Sequence, residues 1–411
     1  MAGTPKYDLY SDAFRARTYA TFAQMRSDDP VLCQPGIDGE LIWFVTRHGD
    51  VATVLLDDGR FVRDAALALT TEKLEAWSTG VPASFAFIEQ HMLNRDGDDH
   101  RRLRRLVSKA FTPKMVEQLR PRIQEIADGL LDTVATRGEM DLVEEYAFPL
   151  PITVIAELLG IPVADRDRFR TWSDALVTPA LTAEAVTEFG ALMTEFVAYL
   201  RELFEQRRHA PRDDLISALL LAREGGDTLS EEELFSMVSL LIVAGHETTV
   251  NLIANAALAL LEHPDQLDAL RRDPGRVAAA IEECLRYDGP VERALNRWAA
   301  TDVELGGRTI RRGDVVIAVL GSANRDPERF VDADALDISR EDTRHLAFGR
   351  GSHYCLGAPL ARLEGEVALT TLLGRLPGLR LGLSRNELRW RPVPLFRSLV
   401  SLPVAWPVRR A

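Results

Sequence analysis

Apolar residues recur at helical spacing over Pro113 to Val134, Leu181 to Arg208 and Asp214 to Ala222, which predicts helices there. Short β-prone runs occur at Leu41 to Val45 and between Arg297 and Leu320. In the second, "VELGGRTIRRGDVVIAVL" sets Gly306-Gly307 and Arg312-Gly313 as turns between strands. One stretch stands apart. Ser230 and Glu233 form an S-x-x-E box that predicts a helix start. The helix should run through "LFSMVSLLIVAGHETTVNLIANAALALL" and stop at His263-Pro264. It is apolar nearly all round, so it should be buried on every side. A transmembrane span is the alternative. Against it stand His246, Glu247, Thr248, Thr249, Asn251 and Asn255, since a charge at mid-bilayer costs about 2.5–3.5 kcal/mol on insertion scales. No repeat, low-complexity tract or long linker divides the chain. The pattern predicts a single domain over residues 1–411, mainly α with small β-sheets, an α+β class.

Composition narrows the function. The 411 residues include 3 cysteines, Cys33, Cys284 and Cys355, with no C-x-x-C pair, so a zinc ribbon or a disulfide framework has no support. A net charge of -13 disfavours nucleic acid as a partner. The N-terminal "MAGTPKYDLYSDAF" lacks the pattern of a signal peptide or membrane anchor, so a cytoplasmic location is expected. A monomer is the expected state.

Four pieces carry candidate chemistry. The first is "HLAFGRGSHYCLGAPLAR", His345 to Arg362. Gly349, Gly351 and Gly357 let the backbone turn tightly and approach a flat ligand. Leu356, Leu360 and Leu363 predict a helix starting at or just past Cys355, whose positive end favours a thiolate. A structural thiol in a glycine turn is the plain alternative. The second is "AGHETT", Ala244 to Thr249. Gly245 and two threonines weaken the buried helix where Glu247 brings a charge. Thr248 can bond back to the carbonyl of Ala244 and open a local kink. Such a gap could hold water and relay protons; otherwise the helix merely tolerates polar groups at a packing contact. The third is Glu283 and Arg286 in "EECLR", an i,i+3 pair that alone reads as an ordinary ion pair. The fourth is a set of cations: His100 and Arg104 on one helix face, Arg297, and His353 beside the cysteine. They suit carboxylate binding, or form a solvated face.

"FGRGSHYCLG", Phe348 to Gly357, resembles the haem-binding signature F-G-x-G-x-H-x-C-x-G of the cytochrome P450 family, and every specified position matches. "AGHETT" is similar to the family's A-G-x-[DE]-T-T motif, and Glu283 with Arg286 to its E-x-x-R. The motifs keep the family's order and spacing, and the resemblance covers nearly the whole chain. It implies the P450 fold, with the long central helix over haem b, and a haem-thiolate monooxygenase. Cys355 would be the iron ligand, in a loop with Phe348, Gly349 and Gly357. Thr248 would hydrogen-bond dioxygen and Glu247 would help deliver protons, with Ala244 and Gly245 against the cofactor. His100, Arg104, Arg297 and His353 would hold the propionates. Arg340 would join Glu283 and Arg286 in a buried structural cluster. The chain departs from the family's D-P-P-E-H before the first histidine, reading Asp96-Gly97-Asp98-Asp99-His100, and has Ala333 and Leu336 where the family often has Pro and Phe.

No flavin or iron–sulfur motif appears, so electrons are expected from a separate ferredoxin or flavodoxin with its NAD(P)H reductase. Arg101, Arg102, Arg105, Lys109 and Arg362 are expected to form its basic docking patch. The expected substrate is a medium-sized hydrophobic molecule. Its walls would include Phe85, Phe87, Leu240, Val243, Val291, Leu295, Asn296 and Phe396, each of which could equally be core. A peroxide-driven peroxygenase and a haem-binding sensor or carrier without turnover are the rival functions.

Overall fold

Ser230 opens the longest helix. Its hydroxyl accepts from the Glu233 amide (3.1 Å), and the Glu233 carboxylate accepts from the Ser230 amide (2.8 Å). The helix then runs unbroken over Glu231–Glu262 and ends at His263, before Pro264. By length and composition it could cross a membrane, yet most of its apolar span is buried inside the protein. It packs against the helices Pro149–Leu159, Val277–Asp288 and Ala358–Arg375, and the main hydrophobic core gathers around it. The computed structural model that shows this describes residues 5–36, 39–78, 87–177, 183–223 and 226–408.

The sheets are small and peripheral. Among the described residues the strands are β1 (Val31–Pro35), β2 (Leu41–Val45), β3 (Phe61–Val62), β4 (Glu139–Asp141), β5 (Arg297–Ala299), β6 (Val303–Leu305), β7 (Arg308–Ile310), β8 (Val315–Ala318), β9 (Arg380–Leu381) and β10 (Pro403–Ala405). Five form a sheet in the order β1-β2-β8-β5-β3, in which β2 and β8 run parallel with Ile42 opposite Val315. β4, β10 and β9 form a second sheet, and β6 with β7 a hairpin. Gly306 and Gly307 make the hairpin turn at φ +54° and +73°, a left-handed conformation that favours glycine.

Two features differ from the pattern-based expectation. β1 lies in "VLCQP", whose Gln34 and Pro35 are weak strand formers; it forms at the edge of its sheet, where Pro35 costs little. The periodic run from Pro113 to Val134 is two helices, Pro113–Gln118 and Arg120–Val134. Pro121 has no amide hydrogen to give to the carbonyl one turn back, so the chain restarts there. The other runs agree closely, with helices at Ala183–His209 and Leu215–Leu221.

Arg286 ties the helical half to the cysteine half. Its guanidinium donates to both Glu283 oxygens (2.8 and 2.7 Å) and to the carbonyls of Asn324 (3.0 Å), Ala333 (2.6 Å) and Ala335 (2.7 Å). Both partners of the pair are fully buried, at 0% side-chain exposure. Arg340 reaches the same carboxylate at 3.2 Å, and the Asp337 amide donates to it at 2.9 Å. Removing one partner from such a group strands a charge in the core. Arg286→Leu is therefore expected to destabilise the fold by about 3–5 kcal/mol. Urea unfolding followed by circular dichroism checks this, and an unmoved midpoint would contradict it.

Candidate active site

The cysteine loop is shaped by glycines that cannot be replaced cheaply. Gly351 sits at φ +79°, and a Cβ there would come within 2.8 Å of the Leu55 carbonyl oxygen. Gly349, at φ +69°, turns the chain after Phe348. The Cys355 amide then donates back to the Phe348 carbonyl at 2.9 Å, closing the loop. The Arg362 guanidinium lies over the Phe348 ring at 4.5 Å, held there by Glu282 (2.6 and 2.9 Å). Burial works against the Glu282 charge, but Arg362 and His345 hold its carboxyl down to about 2.

Cys355 is a free cysteine that keeps solvent contact just before the helix Ala358–Arg375. The protein around its sulfur pushes the thiol pKa up. The amides of Gly357 and Ala358 and the cations Arg104 and Arg362 work the other way, by favouring the thiolate. A ligand that takes the sulfur as an anion would add to that favourable side.

Around the loop gather the cations. The His100 and His353 rings lie 4.2 Å apart, and His353 Nε2 is 3.3 Å from Asp96 Oδ1. Asp96 Oδ2 accepts from the amides of Arg63 (2.6 Å) and Asp64 (2.7 Å). Burial disfavours the Asp96 charge, but His353 and these amides outweigh it and hold the carboxyl below its usual range. His100 is buried with its Nε2 unbonded. Desolvation, with His353 and Arg104 nearby, lowers its pKa to about 4. Arg104 donates to the Tyr354 carbonyl at 2.6 Å. Arg297 donates to the carbonyl of Phe61 (2.7 Å) and to Asp58 (3.2 Å), and its burial lowers its pKa. Gly97, where the chain departs from D-P-P-E-H, takes φ +60° at the start of the helix Gly97–Ala110, a conformation proline cannot adopt.

Sequence reading missed Arg63 and the partner roles of Asp96. Arg63 is buried beside Arg297, donates to Asn296, Leu93 and Asn94, and has its pKa lowered by desolvation to about 10. A lone arginine after a two-residue strand carries no recognisable signal. Of the residues expected to form the docking patch, Arg101 pairs with Asp98, Arg102 with Asp99, Asp227 and Glu233, and Arg362 with Glu282. Lys109 donates to the Arg223 carbonyl.

On the central helix, Thr248 Oγ1 donates to the Ala244 carbonyl at 2.9 Å, the back-bond expected there, within a helix that runs on through this turn. Ala244 is exposed and Thr248 half-buried, within a helix otherwise largely enclosed. Gly245 allows close packing, since a Cβ there would meet Ile155 Cδ1 at 3.0 Å. Glu247 is buried and pairs with Arg391 at 2.9 Å, a partner 144 residues away that the sequence did not reveal. His246, also buried, accepts or donates between the Ser173 hydroxyl (3.2 Å) and the Ile242 carbonyl (3.0 Å).

The expected substrate walls divide. Phe85 lies outside the described residues. Phe87 stacks edge-on against Phe235 at 5.9 Å, and Phe87 and Leu240 are partly buried against the main core. Val243 is half-buried and Leu295 exposed. Val291 pairs with the buried Phe396 through an isolated β-bridge, and Asn296 gives its carbonyl to Arg63.

A family model described as Cytochrome P450 matches residues 167–377. The chain is 49% identical to Cytochrome P450 107B1 of Saccharopolyspora erythraea over 97% of its length and 98% of that protein. It is 46% identical to the cytochrome P450 monooxygenase PikC of Streptomyces venezuelae, covering 98% of this chain and 95% of that one. The crystal structure of the myxobacterial cytochrome P450 CYP267B1, in complex with myristic acid, superposes with a TM-score of 0.91 at 46% identity, covering 97% of this chain and 98% of that one.

The family implies a haem-thiolate cofactor, and the residues present fit one. A haem brings two carboxylates, and near the cysteine loop three guanidiniums (Arg63, Arg104, Arg297) stand against two acids (Asp58, Asp96), beside a buried histidine nitrogen that lacks a partner. With fold, motifs and full-length relatives in agreement, this chain belongs to the cytochrome P450 family and is a monooxygenase.

Proposed function

We propose that this enzyme hydroxylates or epoxidises a medium-sized hydrophobic molecule, using haem b ligated by Cys355. The observation that carries the reading is the Cys355 thiol itself, set in a glycine-shaped loop among amide donors and cations. Bound haem supplies the oxidising chemistry: with two electrons and two protons, one atom of dioxygen enters the substrate and the other leaves as water. The protein's share is to bind, orient and supply protons.

His100, Arg104, Arg297 and His353 are the residues we assign to the cofactor's carboxylates, with Asp96 positioning His353. Thr248 and Glu247 form the proton path. Glu247 is enclosed, but its partner Arg391 has a side chain 39% exposed, so the pair links the interior of the helix to solvent. A proton that reaches Glu247 has Thr248 as its neighbour. The Thr248 hydroxyl spends its own hydrogen on the Ala244 carbonyl and keeps its lone pairs to accept another. The half-buried Val243 and Leu240, with Phe87 and Phe396, favour an apolar substrate.

Electrons would come from a separate ferredoxin or flavodoxin with its NAD(P)H reductase. The paired charges around the cysteine face favour docking by registered ion pairs over steering by a net positive field. We further assign the chain to a single cooperative domain working as a cytoplasmic monomer.

Two outcomes are expected. Reduced protein under carbon monoxide should show the strongly red-shifted Soret band of thiolate ligation, and Cys355→Ser should lose it. A Soret band identical in both proteins would refute the ligand assignment. Thr248→Ala and Glu247→Gln should still bind haem, yet lower the rate of product formation by about 10²–10⁴-fold. Thr248→Ala should send the electrons to peroxide instead. Stoichiometric coupling of NAD(P)H use to product in these variants would contradict the proton path.

A further inference from the structure

Among the described residues, Glu364 is the one carboxylate with both oxygens buried and unbonded. It lies on the helix Ala358–Arg375, one turn beyond Leu360 and next to Gly365. Gly365 has no room for a side chain: a Cβ there would stand 2.9 Å from Ile281 Cδ1 and 3.3 Å from Leu252 Cδ2. The helix is thus pressed against both the central helix and the helix Val277–Asp288. At that contact the Thr249 hydroxyl of the central helix is the polar group beside Glu364.

Among the described residues, no cation balances this acid. On its own helix, Arg362 turns to Glu282, Glu366 to Arg120 and Arg375 to Asp128 and Asp132. From Val277–Asp288, Glu283 binds Arg286 and Arg340, Asp288 binds Arg397, and Cys284 is a buried neutral thiol. From the central helix, Glu247 binds Arg391 and His246 binds Ser173. From Arg120–Val134, Arg122 binds Glu125 and Glu157. From Pro113–Gln118, Glu117 binds Arg120 and Lys114 is exposed. An isolated carboxylate in such surroundings gives up its charge by keeping its proton.

Thr249 follows Thr248 in the chain, and Glu247 precedes it. At 3.6 residues per turn, Glu247 and Thr249 point about 200° apart, with Thr248 between them. Arg391 therefore fixes the helix from one side and Glu364 meets it from the other.

We infer that Glu364 is a positioning residue that stays protonated in the working enzyme, bearing on Thr249 to hold the turn of helix that presents Thr248. Its ionisation sets the alkaline limit of coupled turnover. The second statement rests on the monooxygenase reading of Thr248; the first stands without it. Burial raises the Glu364 pKa from 4.5 to about 8, and the Thr249 hydroxyl, which favours the charged form, offsets this only in part.

Between pH 4.5 and about 8 the folded chain holds a proton that the unfolded chain has released. Stability due to this group therefore falls as pH rises through that window, and is level on either side of it. The melting temperature of wild type should drop relative to Glu364→Gln across the window, with the gap constant above it.

Infrared difference spectra of the whole protein, taken on a jump from neutral to alkaline pH, should show loss of a protonated-carboxyl band. The band should be missing in Glu364→Gln. In wild type, product formed per NAD(P)H should fall through one ionisation near pH 8, and Glu364→Gln should abolish that limb. Thr249→Val, which keeps the acid, should move the infrared titration to higher pH. Absence of the band in wild type would overturn the protonated state. An alkaline limb that persists in Glu364→Gln, or a titration unmoved in Thr249→Val, would overturn the positioning role. Should Glu364→Gln fail to fold, the Thr249→Val titration still decides. A wild-type protein with the infrared band but no thiolate Soret signature would instead defeat the monooxygenase reading alone.

Discussion

The structure depends first on satisfying one buried arginine. Arg286 spends its guanidinium on Glu283 and on three backbone carbonyls between Asn324 and Ala335. Those carbonyls belong to irregular chain, which has no ladder of its own to hold it. Asn324 passes the constraint on, because its side-chain oxygen accepts from the Leu346 amide at 2.7 Å, two residues before Phe348. Next to Glu283, Glu282 binds Arg362 and lies 3.3 Å from His345. One helix thus grips the cysteine loop at its entry and beyond its exit. A loop rich in glycine loses much conformational freedom on ordering. Two adjacent glutamates, one buried and one half-buried, offset that loss through charge-assisted bonds.

The central helix meets a different demand. It must be apolar to sit in the core, yet carry polar groups at one turn. The conflict is resolved by direction. Glu247 points to Arg391 and hence toward water, Thr248 toward the open side of the helix, and Thr249 into the contact with Glu364. His246, one step earlier, is absorbed by Ser173 and Ile242. Each polar residue keeps a distinct environment because consecutive positions are turned by about 100°. The same geometry explains why the Thr248 back-bond can exist without breaking the helix. The hydroxyl adds a donor to a carbonyl already within the helical ladder and removes none.

Much of this was legible in the chain because the informative groups are close in sequence. The capping box of Ser230 and Glu233, the stop at Pro264, the Gly306-Gly307 turn and the glycines around Cys355 act over a few residues, so local spacing reveals them. The hidden partners in the site are long-range. Arg391 meets Glu247 across 144 residues, Asp96 meets His353 across 257, and Arg63 meets Asn296 across 233. None of these partners has a local pattern, since a single charged residue in a loop is equally at home in water. In the basic run after His100 the fold brings Asp227 and Glu233 beside Arg102, and after the cysteine it brings Glu282 beside Arg362, partners that local spacing does not show. Glu364 is the sharpest case. In "ARLEGEVAL" it sits two positions from Glu366, which is half-buried and pairs with Arg120 on a neighbouring helix. Two acids two positions apart face opposite sides of one helix, so the fold alone decides which keeps its charge and which must keep its proton.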